Sequence, residues 1–572
     1  MDEVLGYVLG GSLQEGLTVR LQIPPQDIQE GAFVVMDAPG WRFFGVVTDV
    51  ALRTTHPRYV ENETPDLNPV LTRMLRRSTL YVTATVLPVR MMELPPDPNQ
   101  DPEGYQRFLD EVHRGARDLP LPIPVKTIPP HFAPVRLADQ GDVDEIFGKE
   151  KEGKTFVIGY TREQGHAVRL RLDEFIKRSA GVFGATGTGK SFLTRILLAG
   201  IMHHDVASVL LFDMHNEYAY DRQDPDRGVL IEGFKTHFPG RVRVVGLGPA
   251  ATLQGRAPDY NLMIPSSEIT PEDIELLTHE LDLTDTAPVV LHALHQEFGS
   301  AWFERFRAMR PGAQEEYEDD NGRVRTRPAP DSVEAWAKEA GIHQGSAAAL
   351  HRKLRRLFSK EYIVPHPPVN AVQQIIDDLL QGLHVVLSFG RYETDLDYLL
   401  VTNILTRKVR EAWVQMTEEH RSRGEAGEPR PLVVVVEEAH KLLNRDMAVQ
   451  TIFSTIAREM RKYYVTLLIV DQRPSQIYDE VMSQLGTRIC GWLGDEDDIR
   501  AVLAGLANRD ALRGMLARLE PREEALVMGW GVPLPIVVRT RRYDRRFWKD
   551  LMGEAGFGPG PGVDDINEVL FG

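Results

Sequence analysis

Gly184-Ala185-Thr186-Gly187-Thr188-Gly189-Lys190-Ser191 fits the pattern G-x-x-x-x-G-K-[ST] in full. Glycines at these positions let backbone N–H groups curl around phosphates, and a helix starting just after them adds the positive end of its dipole. In such a P-loop, Lys190 bridges the β- and γ-phosphates of ATP and Ser191 holds Mg²⁺. Gly184 to Ser191, with Phe192 at the start of the following helix, are therefore the candidate nucleotide-binding residues. A Gly-rich turn matching by chance would lack the apolar strand before it (Val182-Phe183) and the apolar helix after it (Phe192–Met202), and both are present.

A second set of residues supplies what a P-loop lacks for hydrolysis. Leu432-Val-Val-Val-Val-Glu437-Glu438-Ala-His440 carries an apolar strand through a core and ends it in two carboxylates, as a Walker B motif does. Open α/β sheets bind ligands at that end of their strands. Glu437 is expected in the hydrated Mg²⁺ shell and Glu438 is expected to polarise the attacking water; read alone, they are two solvated acids capping a helix. Asp213 ends another apolar strand, Val209–Asp213, and is a further metal candidate or simply an acid closing a strand. Gln472, in Val470-Asp471-Gln472-Arg473-Pro474-Ser475, is placed to hydrogen-bond a γ-phosphate or water and so report hydrolysis. Ring ATPases need an arginine from a neighbouring subunit to stabilise charge on the γ-phosphate. Arg461 is the first candidate, Arg178 the second and Arg458 the third, each with a surface ion pair as its ordinary alternative. Lys441 and Arg445 are candidate pore residues, with a solvated helix face as their ordinary alternative.

The elements that must position these groups follow from periodicity. Leu17, Val19, Leu21 and Ile23 alternate with polar residues, as do Leu80, Val82, Ala84 and Val86, and Asp37-Ala38-Pro39-Gly40 breaks two further apolar runs. Several short strands joined by Gly/Pro turns predict a small barrel in residues 1–150, which also hold a helix near Tyr105–Ala116 and an extended Pro-rich stretch, Leu119–Pro134. The continuous apolar runs after it predict a parallel sheet covered by helices on both faces, an α/β core split into 151–257 and 373–555. Between them, 258–372 reads as a helical insertion: Thr270 caps a helix over Pro271–Leu283, Ala347–Phe358 has a basic face, and Glu315–Asp320 with Asn321-Gly322 reads as an acidic loop. Gly424–Glu428 reads as a short polar loop. Residues 556–572 read as a Gly/Pro-rich acidic tail.

Composition narrows the classes. With 572 residues the chain needs more than one core. Cys490 is the single cysteine, which excludes internal disulfides and cysteine-based zinc sites. No run reaches the roughly 20 apolar residues of a spanning helix, and no secretory leader is visible, so a cytoplasmic protein without a membrane is expected. The net charge of −17 argues against a basic coat but not against a basic channel inside an acidic ring.

Taken together, Phe183–Ser191, Phe212-Asp-Met-His-Asn-Glu-Tyr218, Val436–His440 and Arg458-Glu-Met-Arg-Lys-Tyr463 leading to Asp471–Ser475 resemble the HerA family, within the HerA–FtsK group of RecA-like ring motors. The resemblance covers nearly the whole chain, the N-terminal strands being similar to that family's HAS barrel. It implies a homohexamer with ATP and Mg²⁺ at subunit interfaces, double-stranded DNA in the pore, and a NurA-type partner nuclease for DNA-end resection in recombinational repair. Two departures stand out: Tyr464 where relatives often have Gly, and Gly486-Thr487 where Asn-Thr is common. The main alternative is a HerA-like ring that scaffolds an anti-phage effector, a sirtuin-like NAD hydrolase or a nuclease. An FtsK-like membrane pump would need a spanning segment, and the Asp471–Ser475 stretch with the barrel favours DNA over a protein substrate of an AAA-type ATPase.

Overall fold

Strands whose two faces are both buried must feed two cores, and Phe33–Ala38 and Trp41–Thr54 do so. Val34, Met36, Phe43 and Val47 pack with Leu17, Val19 and Ala84 inside a barrel, while Phe33, Val35, Phe44 and Val46 join Phe147 and Phe156 in the core of a second body. The period-2 alternation of a strand divides its side chains in this way. The computed structural model describes residues 4–55, 80–149, 154–223, 228, 230–318, 323–424, 427–448, 452–506 and 508–553. The expected tail at 556–572 lies outside them, as do parts of the expected loops at 319–322 and 425–426.

The barrel is six antiparallel strands closed on themselves: Gly16–Leu21, Val4–Ser12, Pro134–Leu137, Phe33–Ala38, Trp41–Thr54 and Leu80–Glu93, the last returning to the first through Leu17↔Val86. The turn expected at residues 37–40 joins two of them through Ala38↔Trp41. One strand departs from expectation. The end of the Pro-rich stretch does not merely run extended: Pro134–Leu137 is the strand that seals the barrel. The helix expected near Tyr105–Ala116 is Pro102–His113, capped by Asp101.

The second body is the RecA-like P-loop core with a helical insertion. Its 12-stranded sheet runs Tyr260–Leu262, Val242–Leu247, His384–Ser388, Ser208–Asp213, Leu432–Glu437, Val465–Asp471, Ala180–Phe183, Thr487–Cys490, then Glu524–Gly529, Ile536–Thr540, Thr155–Thr161 and Ala167–Arg171. The pairings from Tyr260–Leu262 through Thr487–Cys490 are parallel, and those beyond are antiparallel. The central strands read as continuous apolar runs because both faces are covered; Leu432–Val436 are each at most 2% exposed. One further strand, Val465–Asp471, lies between the P-loop strand and the Glu437 strand, so both Walker motifs emerge at the same end of the sheet on either side of Gln472.

The insertion is mostly helical, with two corrections. Thr270 caps its helix through a reciprocal pair with Asp273, but the helix stops at Glu275 and gives way to turns. The acidic stretch is not a loop at its start: Gln314–Glu318 pairs with Val324–Pro328 as a hairpin. One of its acids, Glu315, faces Arg327 across the strands and pairs with it at 2.6 Å, and Tyr317 faces Arg325, so the charged segment gains partners that its sequence alone does not show. No helix among the described residues is long and apolar enough to cross a membrane.

Candidate active site

The P-loop strand Ala180–Phe183 ends in a tight turn in which Thr188 donates to the Ala185 carbonyl from both its backbone N–H and its hydroxyl, at 3.2 and 2.7 Å. Gly189 holds φ at +89°, a region most side chains avoid, immediately before the helix Lys190–His203. That helix has no side-chain N-cap, so its first N–H groups face the loop unblocked by the protein's own side chains. Such a cradle suits a phosphate. Phe192 points elsewhere, its ring 6.4 Å from that of Tyr543.

The two Walker B carboxylates occupy different environments. Glu437 is buried, 7% exposed: the Tyr218 hydroxyl donates to its carboxylate, and its own carbonyl accepts from Tyr398 at 2.8 Å. Burial, reinforced by the charge of Asp213, pushes the Glu437 carboxyl up to about 8. Glu438 stays at the rim, its side chain 20% exposed, 4.0 Å from the Lys190 ammonium and 3.3 Å from the Gln472 amide. Its φ of +46° is uncommon for a non-glycine residue and is the kind of strain held at functional positions. Asp213 is buried and its two oxygens accept the N–H groups of Glu217 and Tyr218 at 2.8 and 2.9 Å. It holds the turn that delivers Tyr218 to Glu437, and is poorly placed to reach a hydrated ion.

Among the described residues no cluster of three or more His, Cys, Asp or Glu forms a metal cage. The donor set still fits Mg²⁺, which takes few protein oxygens and keeps phosphate and water ligands. Ser191 and Glu437 are those oxygens, the Tyr218 hydroxyl engaging Oε1 of the Glu437 carboxylate.

Gln472 joins the two motifs. Its carbonyl accepts from the Thr186 hydroxyl at 2.6 Å while its amide donates to Glu438. Behind it, buried Asp471 accepts from the backbone N–H and ring Nδ1 of His440 at 2.7 and 2.9 Å. The His440 ring is raised above its ordinary value by that hydrogen bond and by the charges of Asp471 and Glu438, against burial and Lys441. A histidine raised on folding adds stability that is fully present below its unfolded value near 6.5 and is lost as pH rises through the folded value. His440→Gln should therefore destabilise by about 1.5 kcal/mol near pH 6, as for a hydrogen bond to a charged group. The difference should fade by pH 9. Urea unfolding of both proteins across that range checks it, and a pH-independent difference would show that the pair is not charged.

The candidate arginines lie at the other end of the sheet. Arg178 precedes the P-loop strand, and Arg461 sits in the turn Met460–Tyr463 between the helix Ile452–Glu459 and the strand Val465–Asp471. Burial and the nearby Arg461 charge lower Arg178, whose guanidinium stacks over Trp530 at 3.9 Å. Seven strand residues span about 20 Å, so neither reaches the P-loop of its own chain. Arg458 pairs with Glu480 at 3.2 Å, Lys441 pairs with Asp395 at 2.7 Å, and Arg445 is exposed.

A family model described as the central domain of helicase HerA matches residues 156–409. The DNA double-strand break repair helicase HerA of Sulfurisphaera tokodaii is 24% identical over 95% of this chain and 93% of its own length. That of Sulfolobus acidocaldarius is 24% identical over 94% and 93%. Residues 156–409 match the HerA central domain, and over nearly its whole length the chain is similar to HerA helicases. A solved structure, the unbound monoclinic form of the bacterial conjugative coupling protein TrwBdeltaN70, is 15% identical over 71% of this chain and 92% of that one, with a TM-score of 0.43.

The two departures from the HerA pattern sit in different local settings. Tyr464 closes its turn at φ +61°, a conformation glycine adopts without strain. Gly486 lies under Arg178: a Cβ there would stand 2.6 Å from that of Arg178. Two residues of this site lie outside its motifs. Arg195 is fully buried on the P-loop helix, donating to the Glu217 carbonyl and lying 4.7 Å over the Tyr218 ring. An arginine inside the apolar run Leu193–Met202 was its available signal. The other is Arg522, whose side chain donates to the Gly187 carbonyl at 2.7 Å across 335 positions of sequence.

Proposed function

We propose that this chain is an ATP-driven, hexameric motor on double-stranded DNA that works with a partner nuclease of the NurA type in DNA-end resection and recombinational repair. The observation that carries the reading is the division of the chemistry: Lys190, Glu438 and Gln472 converge at one end of the sheet, while Arg178 and Arg461 lie at the other. Such a site becomes complete only when a second copy offers its arginine edge to the P-loop of the first. The HerA relatives named above, aligned across barrel and motor alike, are described as DNA double-strand break repair helicases.

The chemistry follows from the positions. The amides of Gly187–Ser191 and the Lys190 ammonium bind the phosphates of ATP. Glu438 orients the attacking water and draws on its proton, with Gln472 and Lys190 holding the carboxylate in place. Gln472 also touches Thr186, so a shift of the P-loop on phosphate release is felt at Glu438. Ser191 and Glu437 would hold Mg²⁺, which supplies charge neutralisation at the β- and γ-phosphates. The arginine of the neighbouring copy, Arg178 or Arg461, stabilises charge on the γ-phosphate. DNA contacts need only phosphate-directed cations along a pore, compatible with a net charge of −17 on the whole chain.

Steady-state ATP hydrolysis with and without linear duplex DNA tests this. Strong stimulation by duplex is expected, from an assembly of six 64.5 kDa chains. Hydrolysis indifferent to DNA would defeat the translocase reading and favour a ring that organises a defence effector instead.

A further inference from the structure

The loop between the helix Arg509–Ala517 and the strand Glu524–Gly529 lies directly against the P-loop. Arg522 makes the contact twice: its backbone N–H donates to the Thr188 carbonyl at 3.2 Å, and its Nε donates to the Gly187 carbonyl at 2.7 Å. Its Cα stands 3.5 Å from where a Gly189 Cβ would be. The backbone at Arg522 is held at φ +73°, a conformation that favours glycine, and the side chain is exposed. An exposed arginine there gains nothing from burial. What its conformation does is bring one N–H and one guanidinium to consecutive carbonyls of the same turn. Held strain of this sort points toward a functional constraint.

The two carbonyls matter because a trans peptide points its N–H opposite to its C=O. Fixing the Thr188 carbonyl on the Arg522 side turns the Gly189 amide to the other side, where a phosphate would be cradled. Fixing the Gly187 carbonyl holds the preceding peptide in its turn with Ala185. The loop is itself anchored. Glu523 accepts from Thr540 N–H at 2.8 Å, and Glu524 accepts the Glu520 N–H at 3.0 Å while paired with Arg162.

We propose that Arg522 is a positioning residue of the nucleotide site, pinning the P-loop from within the same chain in its phosphate-accepting form and adding a fixed positive charge beside it. This rests on the ATP-binding reading above and assigns to the site a residue outside its motifs. The test is equilibrium binding of ATP with Mg²⁺, together with steady-state kinetics, on the full-length protein and on Arg522→Gly and Arg522→Lys. Glycine keeps the backbone N–H and suits φ +73°, so it removes the side chain without forcing the loop.

For Arg522→Gly we expect ATP binding weakened and KM raised by about tenfold, the loss of one charge-assisted hydrogen bond. The expected kcat changes less, and the thermal midpoint without nucleotide is unchanged or higher. Lysine, which can still donate to the Gly187 carbonyl, should recover part of the affinity. Wild-type binding and KM in Arg522→Gly would overturn the proposal. So would a lowered thermal midpoint with kcat and KM spoiled alike, which would mark the residue as merely structural. If the wild type itself bound no ATP, the nucleotide reading would fall first and this inference with it.

Discussion

Glu438→Gln should lower ATP turnover by about 10²- to 10⁴-fold, the range for removing a general base, with ATP affinity nearly unchanged. The asymmetry follows from where the two neighbouring acids sit. Glu438 is the carboxylate at the rim, 3.3 Å from the Gln472 amide and 4.0 Å from the Lys190 ammonium. An amide of the same shape can keep a hydrogen bond to Gln472 but cannot draw a proton from water. Glu437 cannot take over, because the Tyr218 hydroxyl occupies its carboxylate, it is buried, and it is held up to about 8. Single-turnover and steady-state rates, with ATP binding measured separately, check the expectation. Turnover within a few-fold of wild type would move the catalytic role to another group. Loss of binding as well would mean that the Glu438 charge shapes the P-loop through Lys190.

The sequence made this carboxylate pair legible because its information is local. A continuous apolar strand followed by two acids needs only seven residues to be read, and the P-loop needs eight. Longer-range pieces were opaque for the same reason. Nothing in Phe212–Tyr218 says that the tyrosine hydroxyl will reach Glu437, 219 positions away, and nothing near Arg522 says that it will lie on Gly187. Pro134–Leu137 was hidden differently: four residues after a proline-rich stretch carry too little alternation to declare a strand, and the barrel around them decides it. In the hairpin Gln314–Pro328 the misleading signal was charge. Glu315 looks solvated in one dimension but faces Arg327 once the two strands pair. The arginine candidates were legible as residue types, but only the sheet places Arg178 and Arg461 together and away from the P-loop of their own chain.

The second large effect concerns the seam between barrel and motor. Arg162→Ala should cost about 3–5 kcal/mol of stability, as breaking a buried ion pair by removing one partner does. Arg162 grips Glu524 with two bonds of 2.6 Å, its side chain 12% exposed and that of Glu524 3%, and a third nitrogen donates to the Glu30 carbonyl of the barrel at 2.7 Å. Alanine would leave the Glu524 charge enclosed, its carboxylate held by the Glu520 N–H but without its guanidinium partner. The cost comes from the stranded charge more than from the lost attraction, so removing both partners should be far milder. Arg162→Met with Glu524→Met is expected to lose much less than the sum of the two single changes. Urea unfolding of the wild type, the two methionine variants and their double completes that cycle, with Arg162→Ala measured beside them. A cost under about 1 kcal/mol for Arg162→Ala would mean that the pair behaves as an exposed one. Glu524 also ends the loop that lays Arg522 on the P-loop, so the single variants should bind ATP more weakly even where they stay folded. The same pair then ties the seating of the barrel to the shape of the nucleotide cradle.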